Sequence, residues 1–373
     1  MRLAFVLFKY FPFGGLQRDA MAIAEACAGR GHEITFFVQA WQGDQPAFAD
    51  VRILPCKAWS NHGRAREFVR QLPDALAQAG VDKVIGFDKM PYLDVYYAAD
   101  SCLAEKSAQE HSAWYRCTPR VRQFLSLEQA VFGPDSNTNI LLISAAEKQR
   151  YQSHYQTADS RMTVLPPGIR EDRKVPHDYE RQREGFRAEF APDGQPLLLF
   201  VGSGFRTKGL DRALQAFAAV KVQAAYESAR FLIVGDDKSA VFEKLAAKLG
   251  VADAVKFLGG RNDVTRFFWG CDVLIHPAYR ENTGTVLLEA MIAGLPVVTS
   301  DVCGYAHYVT QAELGKTVSL PFSQSEFEQA VISALAMGRD DCLRRANAFA
   351  DNSDIYSMVP RAVSLIESWQ ETA

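Results

Sequence analysis

The chain lacks any apolar run of the length that spans a membrane, about 20 residues. Leu3 to Phe8 is apolar but stops at Lys9, too short for the core of a secretory signal. Its seven cysteines are scattered, with no Cys-x-x-Cys and no histidines at metal-ligand spacing. That argues against a zinc site or a disulfide frame and suits reduced thiols in a cytoplasmic protein. Asp-x-Asp occurs nowhere, so a metal ion bridged to a diphosphate by that motif is not expected, nor is any cofactor. A net charge of −3 argues against a general nucleic-acid binder. One absence is local: from His111 to Leu127 there is no acidic residue.

What is present is an ordinary globular composition, 48% hydrophobic and 23% charged, over 373 residues. That length accommodates two α/β domains. Apolar runs at Arg2–Phe8, Ile34–Gln39, Val51–Leu54, Lys83–Phe87, Val95–Ala98 and Asn139–Ile143 predict strands, with helices over Leu16–Arg30 and Arg64–Ala79 between them. A second series predicts strands at Leu197–Val201, Phe231–Val234, Val255–Leu258, Val273–Ile275 and Val297–Thr299. Helices separate these at Leu210–Val222, Ala240–Leu249, Val264–Cys271 and Thr285–Ala293. The expected class is α/β, two doubly wound parallel-sheet domains. Pro166-Pro-Gly168 marks the hinge, which divides the chain into 1–166, 167–354 and a closing helix within 355–373, about Ile355–Gln370. The charged stretch Arg170–Glu189 contains no apolar run.

Two loops place a helix start just after a strand. Thr283 is expected to cap the helix that follows, leaving the amides of Gly284 to Leu287 without helical partners, a setting that attracts anions. Glu281 precedes that helix and Glu289 lies one turn beyond Thr285. Carboxylates repel phosphate, so these two suit neutral hydroxyls on either side of it, the layout of a nucleotide sugar. Spacing alone leaves open a solvated Glu281 and an ion-paired Glu289. Gly14-Gly15 opens the first long helix in the same way, with Asp19 one turn in. Asp88 and Asp100 each follow a strand, where a surface or capping role is the plainer reading. The loop Gly202–Gly209 matches neither the dinucleotide fingerprint, since Thr207 stands where Gly is needed, nor a P-loop, since Leu210-Asp211 follows it.

Glu281, Gly284-Thr-Val286, Glu289 and Ala290-Met-Ile-Ala-Gly-Leu-Pro-Val-Val298 together resemble the signature of the retaining glycosyltransferases of family 4. The resemblance implies two Rossmann-like domains facing a cleft, an acceptor-side domain first and a nucleotide-sugar domain second, with the last helix crossing back. It implies that Glu281 contacts the donor sugar, Glu289 holds the ribose, and Gly284 and Thr285 present amides to the diphosphate. Asn282, Thr283 and Val286 fall in the same donor-binding run. Lys208 matches the lysine that neutralises the diphosphate, and Arg173 is a further candidate there. Ser203 stands where an arginine is frequent, a departure that leaves Arg206 to substitute. Phe257–Arg261 resembles the segment near the base, which makes Arg261 a candidate, and Asp301–Tyr305 resembles the loop beside the sugar, with Cys303 in place of a usual Gly. The glycine loop of the family faces donor phosphates and acceptor, which makes Gly15 a donor-side and Gly14 an acceptor-side candidate; Asp100 is a further acceptor-side candidate by its place after a strand, and Asp19 a catalytic candidate that points at the cleft or simply at water. The runs ending in Asp19, Phe87-Asp-Lys-Met-Pro91 and Cys303-Gly-Tyr-Ala-His307 are similar to those of family members that add the first outer-core hexose to a lipopolysaccharide heptose.

The acid-free segment carries Arg116, Arg120 and Arg122 beside Trp114, Tyr115 and Phe124. A basic face with aromatic edges suits the anionic inner face of the inner membrane. A helix packed on its own domain with a solvated basic face is the alternative. The expected reaction moves a hexose from a UDP-sugar to an inner-core heptose with retention, forming an α-1,3 bond. No second carboxylate offers itself as nucleophile, so the acceptor attacks on the leaving-group face. UDP-glucose is the first donor; small polar Asn282, Thr283 and Thr285 leave room for UDP-N-acetylgalactosamine. A sugar-nucleotide epimerase of similar fold and a non-catalytic sugar-nucleotide scaffold are the rivals.

Overall fold

The computed structural model describes residues 1–12, 14–110 and 112–369. Phe13 lies outside them, as do His111 and Gln370, which bound two expected segments. The chain divides into two units: Met1–Gly168 with the stretch that begins at Tyr356, and Ile169–Ile355.

The first unit runs β1 (Arg2–Val6), β2 (Lys9–Tyr10), α1 (Gly15–Gly29), β3 (Glu33–Val38), β4 (Ala40–Trp41), β5 (Ala49–Ile53), α2 (Asn61–Ala79), β6 (Lys83–Gly86), β7 (Val95–Ala98). It continues through α3 (Leu103–Glu110), α4 (Ala113–Arg116), α5 (Pro119–Phe132), β8 (Asn139–Leu142), α6 (Ala145–Tyr155) and β9 (Met162–Val164). Seven strands form one parallel sheet in the order β5-β3-β1-β6-β7-β8-β9. The unbroken apolar run of β1 has a direct cause. Leu3 and Phe5 enter a core with Ile23 and Cys27 of α1. Ala4 and Val6 enter a second core with Phe68 and Leu72 of α2. A strand covered on both faces has no polar side to show.

The second unit runs α7 (Tyr179–Phe190), β10 (Leu197–Val201), α8 (Leu210–Lys221), β11 (Arg230–Val234), α9 (Ala240–Lys248), β12 (Val255–Phe257), α10 (Val264–Gly270), β13 (Val273–His276). It closes with α11 (Thr285–Ile292), β14 (Val297–Ser300), α12 (Ala306–Gln311), β15 (Gly315–Val318), α13 (Gln324–Leu335) and α14 (Arg339–Asn352). Its parallel sheet is ordered β12-β11-β10-β13-β14-β15. In each sheet the order reverses beside the first strand, between β1 and β6 and between β10 and β13. Ligands of such sheets gather at that point, beyond the carboxyl ends of the strands.

The charged stretch Arg170–Glu189, which has no apolar run, leads into helix α7, where Tyr179, Phe186 and Phe190 form the buried face at spaced positions. Two local readings are corrected. Helix α2 starts at Asn61 rather than Arg64, because the Ser60 hydroxyl accepts from the Gly63 amide at 3.1 Å. The acid-free segment is two helices, with Thr118 capping α5 and Pro119 in its first turn.

The last helix, α15 (Met358–Ser368), belongs to the first unit. Met358, Ala362, Val363 and Ile366 recur at helical spacing and bury into the α1 side of the core. The Lys83 ammonium donates to the Ile366 carbonyl at 2.6 Å, satisfying one of the helix's terminal acceptors. Ile366→Ala is expected to cost about 2–5 kcal/mol there.

Candidate active site

The second unit's reversal point is built by two loops. One follows β10 and the other follows β13. Gly209, at φ 76°, is the N-cap of α8, and a Cβ there would meet the Pro277 carbonyl oxygen at 2.0 Å. The Tyr279 amide donates to the Thr207 carbonyl at 2.9 Å. This backbone contact sets Lys208 of one loop against Glu281 of the other, where the ammonium and carboxylate pair. His276, buried at the end of β13, places Nε2 3.3 Å from the same Glu281 oxygen. Burial would raise the Glu281 carboxyl, but the His276 hydrogen bond and the Lys208 charge outweigh it and hold it at about 2.

Glycine also decides the helix start. Gly284 is the N-cap of α11 at φ 83°, and no side chain caps it. The expected Thr283 cap is therefore wrong: its carbonyl instead accepts from the Tyr305 amide at 2.8 Å. The Leu287 amide, expected to be open, bonds the Gly284 carbonyl at 2.9 Å. The amides of Gly284, Thr285 and Val286 stand ahead of that bond. Thr285 is exposed, and Asn282, Thr283 and Val286 are half-buried.

Glu289, on the same helix, lies 3.5 Å from Arg173 Nε, and the Arg173 guanidinium also reaches the Thr265 hydroxyl. Glu281 makes an isolated bridge to Cys303, whose thiol is pushed up to about 12 by burial. A thiol held neutral in this way is no nucleophile. Arg206 is exposed in its loop. Arg261 is engaged by Asp263 at 2.7 and 2.8 Å. Lys208 and Glu281 thus come together, with the α11 amides following Glu281 along the chain, as do Arg173 and Glu289. His276 was missed in the sequence, although a histidine closing an apolar strand beside the signature was its signal.

In the first unit, Gly14 caps α1 and Gly15 begins it. The Asp19 carboxyl accepts from the Tyr97 hydroxyl at 2.8 Å and is raised by burial, partly offset by that bond and by Arg18. Asp88 accepts from the Phe8 amide at 2.6 Å across the reversal point. Asp100 is exposed. Trp114 is 88% exposed, and Arg116, Arg120 and Arg122 are exposed with it, while Val121, Leu127 and Phe132 of α5 are buried in their own unit. Among the described residues no group of three His, Cys, Asp or Glu could hold a metal ion. None of the described helices is long and apolar enough to cross a membrane.

The model for glycosyl transferases group 1 matches residues 181–352, and that for Glycosyltransferase Family 4 matches residues 13–173. The chain is 43% identical over 369 residues to the lipopolysaccharide glucosyltransferase WaaG of Escherichia coli K12, covering 98% of each. It is 24% identical over 338 residues to an uncharacterized glycosyltransferase of Methanocaldococcus jannaschii, covering 82% of this chain and 81% of that one. The crystal structure of WaaG superposes with a TM-score of 0.91 at 42% identity, over 98% of this chain and 100% of that one. Anabaena HepE in complex with UDP-glucose shares the fold, with a TM-score of 0.74 at 17% identity over 99% of this chain and 100% of that one. The chain therefore belongs to the family 4, group 1 glycosyltransferases, sugar-transferring enzymes of GT-B fold.

Proposed function

We propose that this enzyme transfers glucose from UDP-glucose to a heptose of the lipopolysaccharide inner core, forming an α-1,3 bond with retention and starting the outer core. The observation that carries the reading is the Lys208–Glu281–His276 cluster beside the open amides of α11. The acceptor and donor are supported by the 43% identity to a lipopolysaccharide glucosyltransferase.

Breaking the bond between the anomeric carbon and the diphosphate creates positive charge on the sugar and negative charge on the leaving oxygen. Fixed donors aimed at that oxygen are the largest available catalytic term. Lys208 and the amides of Gly284, Thr285 and Val286 are those donors, with no metal required. A diphosphate carries more charge than Glu281, so its arrival draws the ammonium away. His276 then keeps the Glu281 carboxylate in place to accept from a sugar hydroxyl. Glu289 accepts from the ribose, steadied by Arg173. The acceptor hydroxyl attacks from the leaving-group face and passes its proton to the departing phosphate oxygen.

The enzyme works at the anionic inner surface of the inner membrane, docked through Trp114, Arg116 and Arg122. Incubation with UDP-glucose, with and without heptose-terminated lipopolysaccharide, tests the reaction. Acceptor-dependent UDP release supports it. An epimerised sugar nucleotide, or binding without turnover, overturns it.

A further inference from the structure

The first unit has a cavity of about 460 Å³, within the ~300–1,000 Å³ of small-molecule sites. Phe8, Asp88 and Asp100 bring it to the carboxyl ends of β1, β6 and β7, the reversal point of that sheet. Its polar lining is of three kinds. Asp88 and Asp100 supply carboxylates, and burial together with the neighbouring Asp100 charge pushes Asp88 up to about 7 against the Phe8 amide. Lys106 and Arg120, both exposed, supply cations. Ser107, 2% exposed, supplies a hydroxyl with no hydrogen-bond partner.

The cavity's other cation is already occupied. Lys89 holds the buried Glu128 at 2.6 Å and the Ser101 carbonyl at 2.9 Å. What the cavity offers a ligand is therefore two exposed cations, one buried hydroxyl without a partner, the exposed Asp100 carboxylate and the Asp88 oxygen left beyond the Phe8 bond. A neutral sugar would leave Lys106 and Arg120 unmatched. A phosphate alone would leave the carboxylates facing an anion. A buried polar atom without a partner in the protein calls for one, and in a cavity a ligand group or a water supplies it.

We propose that this cavity binds a sugar of the acceptor that carries an anionic group, phosphate or carboxylate. Lys106 and Arg120 meet the anion, Asp88 and Asp100 accept from ring hydroxyls, and Ser107 bonds the sugar between them. The assignment rests on the glycosyltransferase reading above and removes Arg120 from the membrane-facing set.

A deacylated, water-soluble acceptor oligosaccharide takes membrane docking out of the test. With saturating UDP-glucose, Lys106→Gln and Arg120→Gln are each expected to raise the acceptor KM about tenfold. Their kcat, donor KM and melting temperature should stay at wild-type values. Phosphatase treatment of the acceptor identifies the anion. If it abolishes the difference between variant and wild type, the group is phosphate; if the difference persists, it is carboxylate. Ser107→Ala should melt no lower than wild type yet raise the acceptor KM severalfold, because it removes an unpaired buried hydroxyl. An acceptor KM within twofold of wild type in both cation variants overturns the proposal, as does a defect in Arg120→Gln seen only on anionic vesicles. Wild-type enzyme that binds UDP-glucose but leaves every acceptor unmodified would instead overturn the function on which the proposal rests.

Discussion

The imidazole Nε2 of His276 stands 3.3 Å from the Glu281 carboxylate, at the buried end of the strand that leads into the signature loop. The Nδ1 atom is buried without a partner. An ionised carboxylate can only accept, so His276 donates to Glu281 from Nε2. In the proposed mechanism the carboxylate therefore keeps one partner when Lys208 turns to the diphosphate.

His276→Phe should fit the apolar side of its pocket, where Phe200 lies 6.0 Å from the imidazole. Its kcat is expected to fall about tenfold or more with donor KM within twofold. His276→Gln, whose amide can donate to Glu281, should recover most of the loss. Equal damage from both variants would reduce His276 to a packing residue.

In the proposed mechanism Lys208→Ala removes a donor aimed at growing charge. Its kcat should fall by about 10²–10³ at saturating UDP-glucose. Glu289→Ala should act mainly on donor KM, since Glu289 is assigned to the ribose rather than to the leaving group. Near-normal turnover in Lys208→Ala would end its assignment.

Glu281 also ties stability to pH. Its folded-state carboxyl lies at about 2 against an ordinary 4.5, so its contribution is present above pH 4.5 and is lost as pH falls toward 2. The shift corresponds to about 3 kcal/mol. Acid unfolding followed by circular dichroism should therefore be shallower below pH 4.5 in Glu281→Gln than in wild type. Parallel curves would show that the His276 and Lys208 contacts contribute little to the folded state.

Trp114 is 88% exposed beside exposed Arg116 and Arg122. Sedimentation with anionic vesicles should fall with added salt and with Arg116 and Arg122 changed to Ser, because surface attraction is screened over about 10 Å at 0.1 M salt. Equal binding to neutral vesicles would count against docking by charge.

Thr285 is exposed at the start of α11, and in the proposed donor site the sugar's 2-position lies over it. Thr285→Ile should lower kcat/KM for UDP-N-acetylgalactosamine relative to UDP-glucose by about tenfold, the scale of a misfit in a sugar pocket. Unchanged ratios would mean that Thr285 does not select the donor.

Much of this was open to inspection in the chain itself. Central strands such as β1 and β10 are buried on both faces, so their sequences stay apolar and name themselves. The run from Glu281 to Val298 carries loop, helix and strand in one continuous segment, and its role travels with it. Elements whose burial is spaced out or partial were hidden: α7 shows three aromatics among charges, and β15 is largely half-buried. Tertiary structure alone decided who meets whom. Lys208 and Glu281 are 73 residues apart, and Phe8 and Asp88 are 80 apart. Each pair meets because the strand order reverses between the loops that carry them. Local periodicity records how deeply a segment is buried, whereas partnership depends on which strands the folded sheet sets side by side.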